Sequence, residues 1–243
     1  MKSYYEHNGI TIYHGDCLET MQTLPAQSVD CVLTDPPFSS GARREANKGL
    51  RKSMIRGTDD ADWFTTDSLT TNGFVWLMRE CAVQWHRIVK PGGHILVFID
   101  WRMHSPLSGA IESADLRHNG LLVWNKTHFG MGSCFRNQHE LILHFSNGKP
   151  NPPQRMDVGN VLDFKPIRNG VHPTEKPVDL LRTLLSVVCP RNGVVLDCFM
   201  GSGPTLEAAC REDCSAIGVD VDAKCCEIAA KRLQQEVLVT EAV

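Results

Sequence analysis

Hydrophobic and polar positions along the chain predict strands and helices in turn. Short apolar runs rich in β-branched residues, such as 29–33 and 194–196, are typical of buried strands. Between such runs, apolar residues recur at helical spacing, most clearly from Phe74 to Ile88. This alternation predicts an α/β fold with a doubly wound, mostly parallel sheet. Predicted strands cover 10–13, 29–33, 94–99, 120–124, 140–145, 194–197 and 215–219, and predicted helices begin near Leu18, Asn72, Pro106, Pro177, Pro204 and Ala223.

Two stretches interrupt the alternation. Residues 41–71 are too long and too polar for an ordinary connection, which favours a functional or disordered loop. Residues 125–170 are rich in Gly, Asn and Pro, with one clear strand. We therefore expect one domain in two halves, 1–124 and 171–243, with a short recognition segment inserted over 125–170.

Composition narrows the class of protein. The chain has 243 residues, enough to bury a sizeable core, and its 42% hydrophobic and 22% charged residues are ordinary for a soluble globular protein. No apolar run approaches the ~20 residues that span a bilayer, and the start of the chain lacks the apolar core of a signal peptide. We therefore expect a cytoplasmic protein without membrane contact. The ten cysteines include no Cys-x-x-Cys pair, so we expect no metal site.

The stretch Thr34–Phe38 combines residue types that suit chemistry on an amine. Asp35 follows the apolar strand, and Pro36 and Pro37 end the pairing because proline has no N–H and a fixed φ. Open α/β sheets bind ligands at the carboxyl ends of their strands. Asp35 and the Pro36 carbonyl can accept the two N–H bonds of an exocyclic amine, and Phe38 can stack on a flat ring. The structural alternative is a proline-terminated strand with an exposed phenylalanine.

A second candidate site lies near the C-terminal end of the chain. Asp197 precedes a glycine turn with Gly201 and Gly203, a helix and a strand ending in Asp220, which is the layout of a site for an adenosine-containing cofactor. Leu206 stands where a dinucleotide fingerprint needs its third glycine, and Asp197 would repel a pyrophosphate. A cationic ligand such as S-adenosylmethionine suits that carboxylate better. The alternative is a glycine turn that only starts a helix.

The distribution of charge is more informative than its sum. The formal net charge of −3 does not indicate a nucleic-acid ligand, but residues 43–56 carry six basic side chains against Glu45 alone. A charge run usually marks a solvated face. This one directly follows Thr34–Phe38, which favours phosphate contact beside the candidate site. The six basic residues are Arg43, Arg44, Lys48, Arg51, Lys52 and Arg56.

Six short motifs follow one another along the chain. They are His14-Gly15-Asp16, Thr34–Phe38, Trp124-Asn125-Lys126, Gln138–Leu141, His172–Pro177 and Asp197–Gly203. In this order they resemble the β-class amino-methyltransferases of DNA, which modify adenine N6 or cytosine N4, and in which the catalytic half precedes the cofactor half. The resemblance implies a Rossmann-like methyltransferase sheet. In that sheet the strand ending at Asp197 and the strand ending at Asp35 are neighbours.

The resemblance also implies roles for individual residues. The catalytic residues would be Asp35, Pro36, Pro37 and Phe38. The cofactor S-adenosylmethionine would be held by Asp16, Cys17, His172, Thr174, Lys176, Asp197, Phe199, Gly201, Ser202, Gly203 and Asp220. Among these, Asp220 would contact the ribose, Asp16 the adenine amino group, and Lys176 and Thr174 the methionine carboxylate. Besides the six basic residues, the candidates for DNA contact are Lys126, Arg136, Asn137, Gln138, Arg155 and Asn160.

The target base follows from the same resemblance. Aspartate before Pro-Pro favours adenine N6, whereas serine is more usual in the cytosine N4 enzymes, and Phe38 replaces the usual tyrosine. The expected partner is double-stranded DNA with the target base flipped out of the helix. Cytosine N4 methylation, protein glutamine methylation and a non-catalytic DNA-binding relic remain alternatives. The sequence leaves open a homodimer and a cognate restriction nuclease.

Overall fold

The computed structural model describes residues 2–37, 70–130, 134–167 and 175–240. The strands in these ranges are β1 (Tyr5–His7), β2 (Ile10–His14), β3 (Val29–Thr34), β4 (Val89–Ile99), β5 (Arg117–Asn125), β6 (His139–Ser146), β7 (Val161–Asp163), β8 (Val194–Asp197) and β9 (Ser215–Asp220). They form one sheet in the order β1-β2-β9-β8-β3-β4-β6-β5-β7. Strands β2, β9, β8, β3 and β4 are parallel to one another. The predicted doubly wound, mostly parallel sheet is therefore confirmed.

Six α-helices cover the two faces of the sheet in the described part of the chain. They are α1 (Cys17–Thr23), α2 (Thr71–Ile88), α3 (His104–Glu112), α4 (Val178–Val188), α5 (Pro204–Arg211) and α6 (Ala223–Thr240), and a short 3₁₀ turn (Trp101–Met103) precedes α3. Apolar side chains of α1, α2 and α3 form the core on one face. Those of α4, α5 and α6 form the core on the other face. No helix in the described ranges is long and apolar enough to cross a membrane.

Helix α2 differs from its prediction at both ends. Its N-cap is Thr70, whose hydroxyl accepts a hydrogen bond from Gly73 N at 3.1 Å, and not the predicted Asn72. The helix ends at Ile88, before the predicted stop at Pro91, because β4 begins immediately afterwards and contains that proline. A residue caps a helix only when its backbone angles suit the start of the helix. The sequence alone does not show whether Thr70 or Asn72 has those angles.

Strands β3 and β8 lie side by side at the topological switch point of the sheet, where the connections from the two strands run to opposite sides. Cys31 pairs with Val195 and Val32 pairs with Leu196, in parallel register. From β3 the chain continues through α2 to β4 on one side, and from β8 through α5 to β9 on the other. The loops after both strands therefore open into one crevice, as expected for such a switch point. The expected neighbourhood of these two strands is confirmed.

Strand β6 is the strand predicted within residues 125–170, whose role as a recognition segment stays a prediction. It lies between β4 and β5 and is antiparallel to both, so it belongs to the main sheet. Strand β7 extends the same sheet by pairing with β5. Only the parts of 125–170 outside these strands can form a separate recognition segment. The Gly, Asn and Pro residues around β6 gave no indication that this strand joins the main sheet.

Candidate active site

A hydrogen bond joins the ends of β3 and β8 at the floor of the crevice. The Thr34 hydroxyl donates to Asp197 Oδ1 at 2.7 Å. Both residues are buried, at 1% and 2% exposure. Phe199 N donates to the same carboxylate oxygen at 3.1 Å, which holds the first residues of the glycine turn against the strand end. The two stretches that the sequence singled out are therefore in direct contact.

Asp35 presents one bound and one unbound oxygen at the end of β3. Oδ2 accepts a hydrogen bond from Lys176 Nζ. Oδ1 is buried and has no hydrogen-bond partner within the described ranges. Pro36 is buried and Pro37 is half-buried, which fixes the chain where strand pairing stops. Burial raises the pKa of Asp35, and the nearby Lys176 ammonium opposes that rise. Among the described residues, no donor therefore occupies this buried acceptor.

Lys176 lies between two carboxylates. Besides Asp35, its Nζ lies 3.3 Å from Glu140 Oε2, and Lys126 Nζ lies 2.5 Å from the other oxygen of Glu140. Burial works against the charge of Lys176, but Asp35 and Glu140 raise its pKa overall. For Glu140, burial is likewise outweighed, and the two lysines lower its pKa. The observed partners of Lys176 are therefore protein carboxylates, and its assignment to the cofactor carboxylate stays a prediction.

The glycine turn has the geometry that a closely bound ligand requires. Gly201 and Gly203 have φ of +52° and +82°, values that favour glycine. A Cβ on Gly201 would meet nothing within 4 Å, so its open side faces free space. A Cβ on Gly203 would lie 2.8 Å from the Ala229 Cβ, so this glycine also lets α6 pack closely. Pro204 begins helix α5, as predicted.

Asp220 and Asp197 border this turn. Gly201 N and Asp222 N each donate to one oxygen of Asp220, both at 2.9 Å, and burial raises the pKa of Asp220. Burial also raises the pKa of Asp197 to about 6. Its partners Thr34, Phe199 and Thr205 oppose this rise but carry no charge. Both carboxylates are thus fixed in place by uncharged donors.

Four further predicted cofactor residues lie within the described ranges. The Asp16 side chain caps helix α1 by accepting from Leu18 N and Glu19 N at 2.8 and 3.0 Å. Cys17 is buried, and the Ser202 hydroxyl donates to Glu175 at 3.0 Å. Phe199 is half-buried. Their cofactor roles stay predictions, because these contacts are compatible with a purely structural part.

The predicted DNA contacts divide into two groups. Some lie at a pocket beside Glu140 or on its loop, and the others are described by their contacts within the protein. Lys126 and Asn137 line a pocket of about 360 Å³ together with Glu140. On the loop that carries Asn137, the Arg136 guanidinium carbon lies 4.2 Å from the centre of the Phe129 ring. The Gln138 side-chain amide donates to Asn125 Oδ1. Asn160 lies 3.4 Å from Leu121 O, and Arg155 is paired with Asp157. The pocket also includes Asp100, Trp101, His128, Gly130, His139 and Pro166.

Arg155 is not brought to the crevice. The preceding Gln154 N donates to Val187 O at the C-terminal end of α4, whereas Lys176 lies just before the start of that helix. Since α4 has 11 residues, the two ends are about 16 Å apart. The contact between Arg155 and DNA therefore stays a prediction, and it would lie away from Asp35.

Several predicted site residues lie outside the described ranges. They are Phe38, Arg43, Arg44, Lys48, Arg51, Lys52, Arg56, His172 and Thr174.

Sequence reasoning gave no role to Glu140 or Trp101. Glu140 stood within a quoted motif, but only the pairing of β5 with β6 brings it to Lys126. Trp101 follows β4 at the same edge of the sheet as Asp35 and is 54% exposed. A bulky aromatic directly after a buried strand was the available signal for Trp101.

Comparison with known proteins identifies the family. Residues 29–231 match the family of N6/N4 DNA methylases. The chain belongs to this family. The methylase is 29% identical over 254 residues to type II methyltransferase M.HinfI of Haemophilus influenzae, covering 93% of this chain and 68% of that protein. It is 25% identical over 257 residues to type II methyltransferase M2.LlaDCHI of Lactococcus lactis subsp. cremoris, covering 96% and 93%.

Solved structures of similar fold agree with this family. The cytosine-N4-specific PvuII DNA methyltransferase has a TM-score of 0.73 at 18% identity, covering 94% of this chain and 88% of that chain. The M1.HpyAVI complex with SAM has a TM-score of 0.66 at 23% identity, covering 92% and 99%. The expected Rossmann-like methyltransferase fold is therefore confirmed. The methylase is an S-adenosylmethionine-dependent DNA methyltransferase.

Proposed function

We propose that this methylase modifies the N6 amino group of adenine in double-stranded DNA. The observation that carries the proposal is the buried Oδ1 of Asp35 at the carboxyl end of β3, which has no hydrogen-bond partner among the described residues. A buried acceptor without a partner costs free energy, on the order of 1–3 kcal/mol, which an incoming N–H would recover. The aspartate before Pro36 and Pro37 supports adenine over cytosine through the family resemblance.

The residues around the glycine turn fit S-adenosylmethionine. Asp197 is a buried carboxylate with uncharged hydrogen-bond partners, which suits a cationic ligand. The open side of Gly201 leaves room for close contact with the backbone of the turn. Asp220 is held by two backbone amides, and in this proposal it accepts hydrogen bonds from the ribose hydroxyls. When bound, S-adenosylmethionine supplies the methyl group on a positively charged sulfur.

Asp35 has the central part in the proposed mechanism. The lone pair of an adenine amine is delocalised into the ring, so the nitrogen is a poor nucleophile. When Asp35 Oδ1 and the Pro36 carbonyl accept its two N–H bonds, the nitrogen becomes more tetrahedral and its lone pair becomes available. Once methylated, the nitrogen loses a proton, which Asp35 accepts. Positioning of the amine beside the methyl donor supplies most of the remaining rate enhancement.

The acceptor site requires the base to leave the DNA helix. Asp35 Oδ1 is buried in the crevice, out of reach of an amine that is paired and stacked inside a duplex. Flipping the base out costs a few kcal/mol of unstacking. Phosphate contacts by the six basic residues of 43–56 and stacking of Phe38 on the flipped base are the predicted contributions that would offset this cost.

Analysis of the methylated nucleoside tests the proposal. The methylase is incubated with unmethylated duplex DNA and methyl-labelled S-adenosylmethionine, and the DNA is then digested to nucleosides. We expect the label in N6-methyladenine. Label in N4-methylcytosine would agree with the type of reaction but contradict adenine as the target base. Cofactor binding without label in DNA would overturn DNA as the substrate and direct the search to protein amides.

A further inference from the structure

Four charged side chains form a continuous chain from the acceptor site to the pocket. Lys176 Nζ donates to Asp35 Oδ2 and lies 3.3 Å from Glu140 Oε2. The other oxygen of Glu140 lies 2.5 Å from Lys126 Nζ. Glu140 and Lys126 both line the pocket of about 360 Å³. The charges alternate along this chain and sum to zero.

Separate elements of the fold hold the four side chains. Asp35 follows β3, Lys176 precedes α4, Glu140 lies in β6 and Lys126 follows β5. Lys126 N donates to Gln138 O at 2.8 Å, which fixes its backbone beside β6. The Lys176 side chain is only 6% exposed, and its Nζ also lies 5.3 Å from the centre of the Phe98 ring. A buried charge is stable only when it is paired, so this arrangement constrains all four groups.

Sharing one lysine between two carboxylates has a chemical consequence. A buried lysine paired with Asp35 alone would hold the carboxylate as a tight ion pair and weaken it as an acceptor for an amine. Glu140 draws part of the Lys176 charge away from Asp35. Lys126 in turn limits how strongly Glu140 can compete. Asp35 therefore stays fixed through Oδ2 while Oδ1 stays available.

We propose that Glu140 is a positioning residue that acts on Asp35 through Lys176, and that Lys126 balances Glu140. This inference rests on the proposed function, because Asp35 is the acceptor in that reaction. It assigns Glu140 a part in the methyl transfer, and it gives Lys126 a part beyond its predicted contact with DNA.

The effects on Asp35 support the proposal by their signs. Burial has the largest effect on the pKa of Asp35 and raises it, whereas Lys176 lowers it. The negative charge of Glu140 also raises this pKa, and the positive charge of Lys126 lowers it. Asp197, at the end of the neighbouring strand β8, also faces Asp35, and burial together with Asp35 raises its pKa. Removing the charge of Glu140 and removing that of Lys126 must therefore shift the titration of Asp35 in opposite directions.

The pH dependence of methyl transfer measures these shifts. Single-turnover rates are recorded from pH 5 to 9 with saturating DNA and cofactor, for the wild type, Glu140→Gln and Lys126→Met. In Glu140→Gln we expect the acid limb to move to lower pH by about half a unit or more, and the plateau rate to fall about tenfold. In Lys126→Met we expect the acid limb to move to higher pH. The cofactor dissociation constant should stay unchanged in Glu140→Gln.

Matched controls separate this effect from a general loss of charge. Glu227→Gln and Lys231→Met remove the two partners of an exposed ion pair on α6. Both should keep the wild-type pH profile. Urea midpoints of all four variants identify any that fold poorly, and in that case Glu140→Asp, which keeps the charge, should retain the wild-type acid limb.

Two outcomes would overturn the inference. One is an acid limb that stays in place in both variants, and the other is a shift in the same direction in both. A direct ¹³C titration of the Asp35 carboxyl in the same variants gives the same answer without turnover. If the wild type does not methylate DNA but the titration still shifts in opposite directions, the proposed function fails and the coupling of the four charges stands.

Discussion

Removal of the Thr34 hydroxyl should destabilise the protein in a pH-dependent way. This hydroxyl donates to Asp197 Oδ1 at 2.7 Å, and both groups are buried. Thr34→Val keeps the shape of the side chain but removes the donor. Loss of a hydrogen bond to a buried charged group costs about 1.5–3 kcal/mol. We therefore expect the free energy of unfolding to fall by about 2 kcal/mol at pH 8, where Asp197 is ionised.

The sign of the pH dependence follows from Asp197. Burial raises its pKa from 3.8 to about 6 in the folded protein. Since each pKa unit corresponds to about 1.4 kcal/mol, ionised Asp197 destabilises the folded state by about 3 kcal/mol above pH 6. This penalty disappears as the pH falls from 6 to 4, because the folded state then binds a proton that the unfolded chain does not. A neutral carboxyl depends less on the Thr34 donor, so the loss in Thr34→Val should be under about 1 kcal/mol at pH 5.

Urea unfolding at pH 5 and pH 8, followed by tryptophan fluorescence, measures both values. Thr34→Ser is the matched control, because it keeps the hydroxyl and removes only a methyl group. It should lose about 1 kcal/mol at either pH. An equal loss in Thr34→Val at the two pH values, or an equal loss in both variants at pH 8, would refute this account of the contact between β3 and β8.

Two further predictions concern the glycine turn and the far part of the sheet. Gly203→Ala should cost about 1–3 kcal/mol in urea unfolding, because φ is +82° and the new Cβ would lie 2.8 Å from Ala229 Cβ. Gly109→Ala in α3, where a Cβ meets nothing within 4 Å, should be neutral or stabilising, and a similar loss there would contradict the reasoning. Burial, with His94 and His118 nearby, lowers the pKa of His144 to about 4. The unfolded chain therefore binds more protons between pH 4 and 6.5, and stability should fall as the pH falls through this range. Thermal melts of His144→Phe should show a weaker fall, and an unchanged slope would exclude this source.

The sequence predicted the features that depend on local chemistry. The strand before Asp35 ends where Pro36 and Pro37 remove the pairing donors, and the helix after Gly203 starts at Pro204. Each of these features follows from the backbone limits of one or two residues. Local patterns of this kind were sufficient to find the main strands of the parallel part of the sheet, whereas the neighbourhood of β3 and β8 came from the family resemblance.

Features that depend on strand neighbours could not be derived in the same way. The contact between Thr34 and Asp197 spans 163 positions and exists only because β3 and β8 are adjacent. Glu140 reaches Lys176 only because β6 runs antiparallel beside β4 and β5. An apolar run that is buried on both faces does not indicate whether the strand pairs in parallel or antiparallel orientation. The contacts of Lys176 with Asp35 and Glu140 could therefore not be predicted, and its cofactor role, which the family resemblance implies, stays a prediction.

The most direct test of the account is methyl transfer by Asp35→Asn. This variant keeps the size of the side chain but removes its charge and most of its strength as an acceptor. We expect the single-turnover rate to fall by about a hundredfold or more while the cofactor dissociation constant stays within about threefold of the wild type. Glu227→Gln, at the exposed ion pair with Lys231, serves as the control and should keep wild-type activity. A variant Asp35→Asn that methylates DNA at the wild-type rate would contradict the central claim that this carboxylate receives the amine.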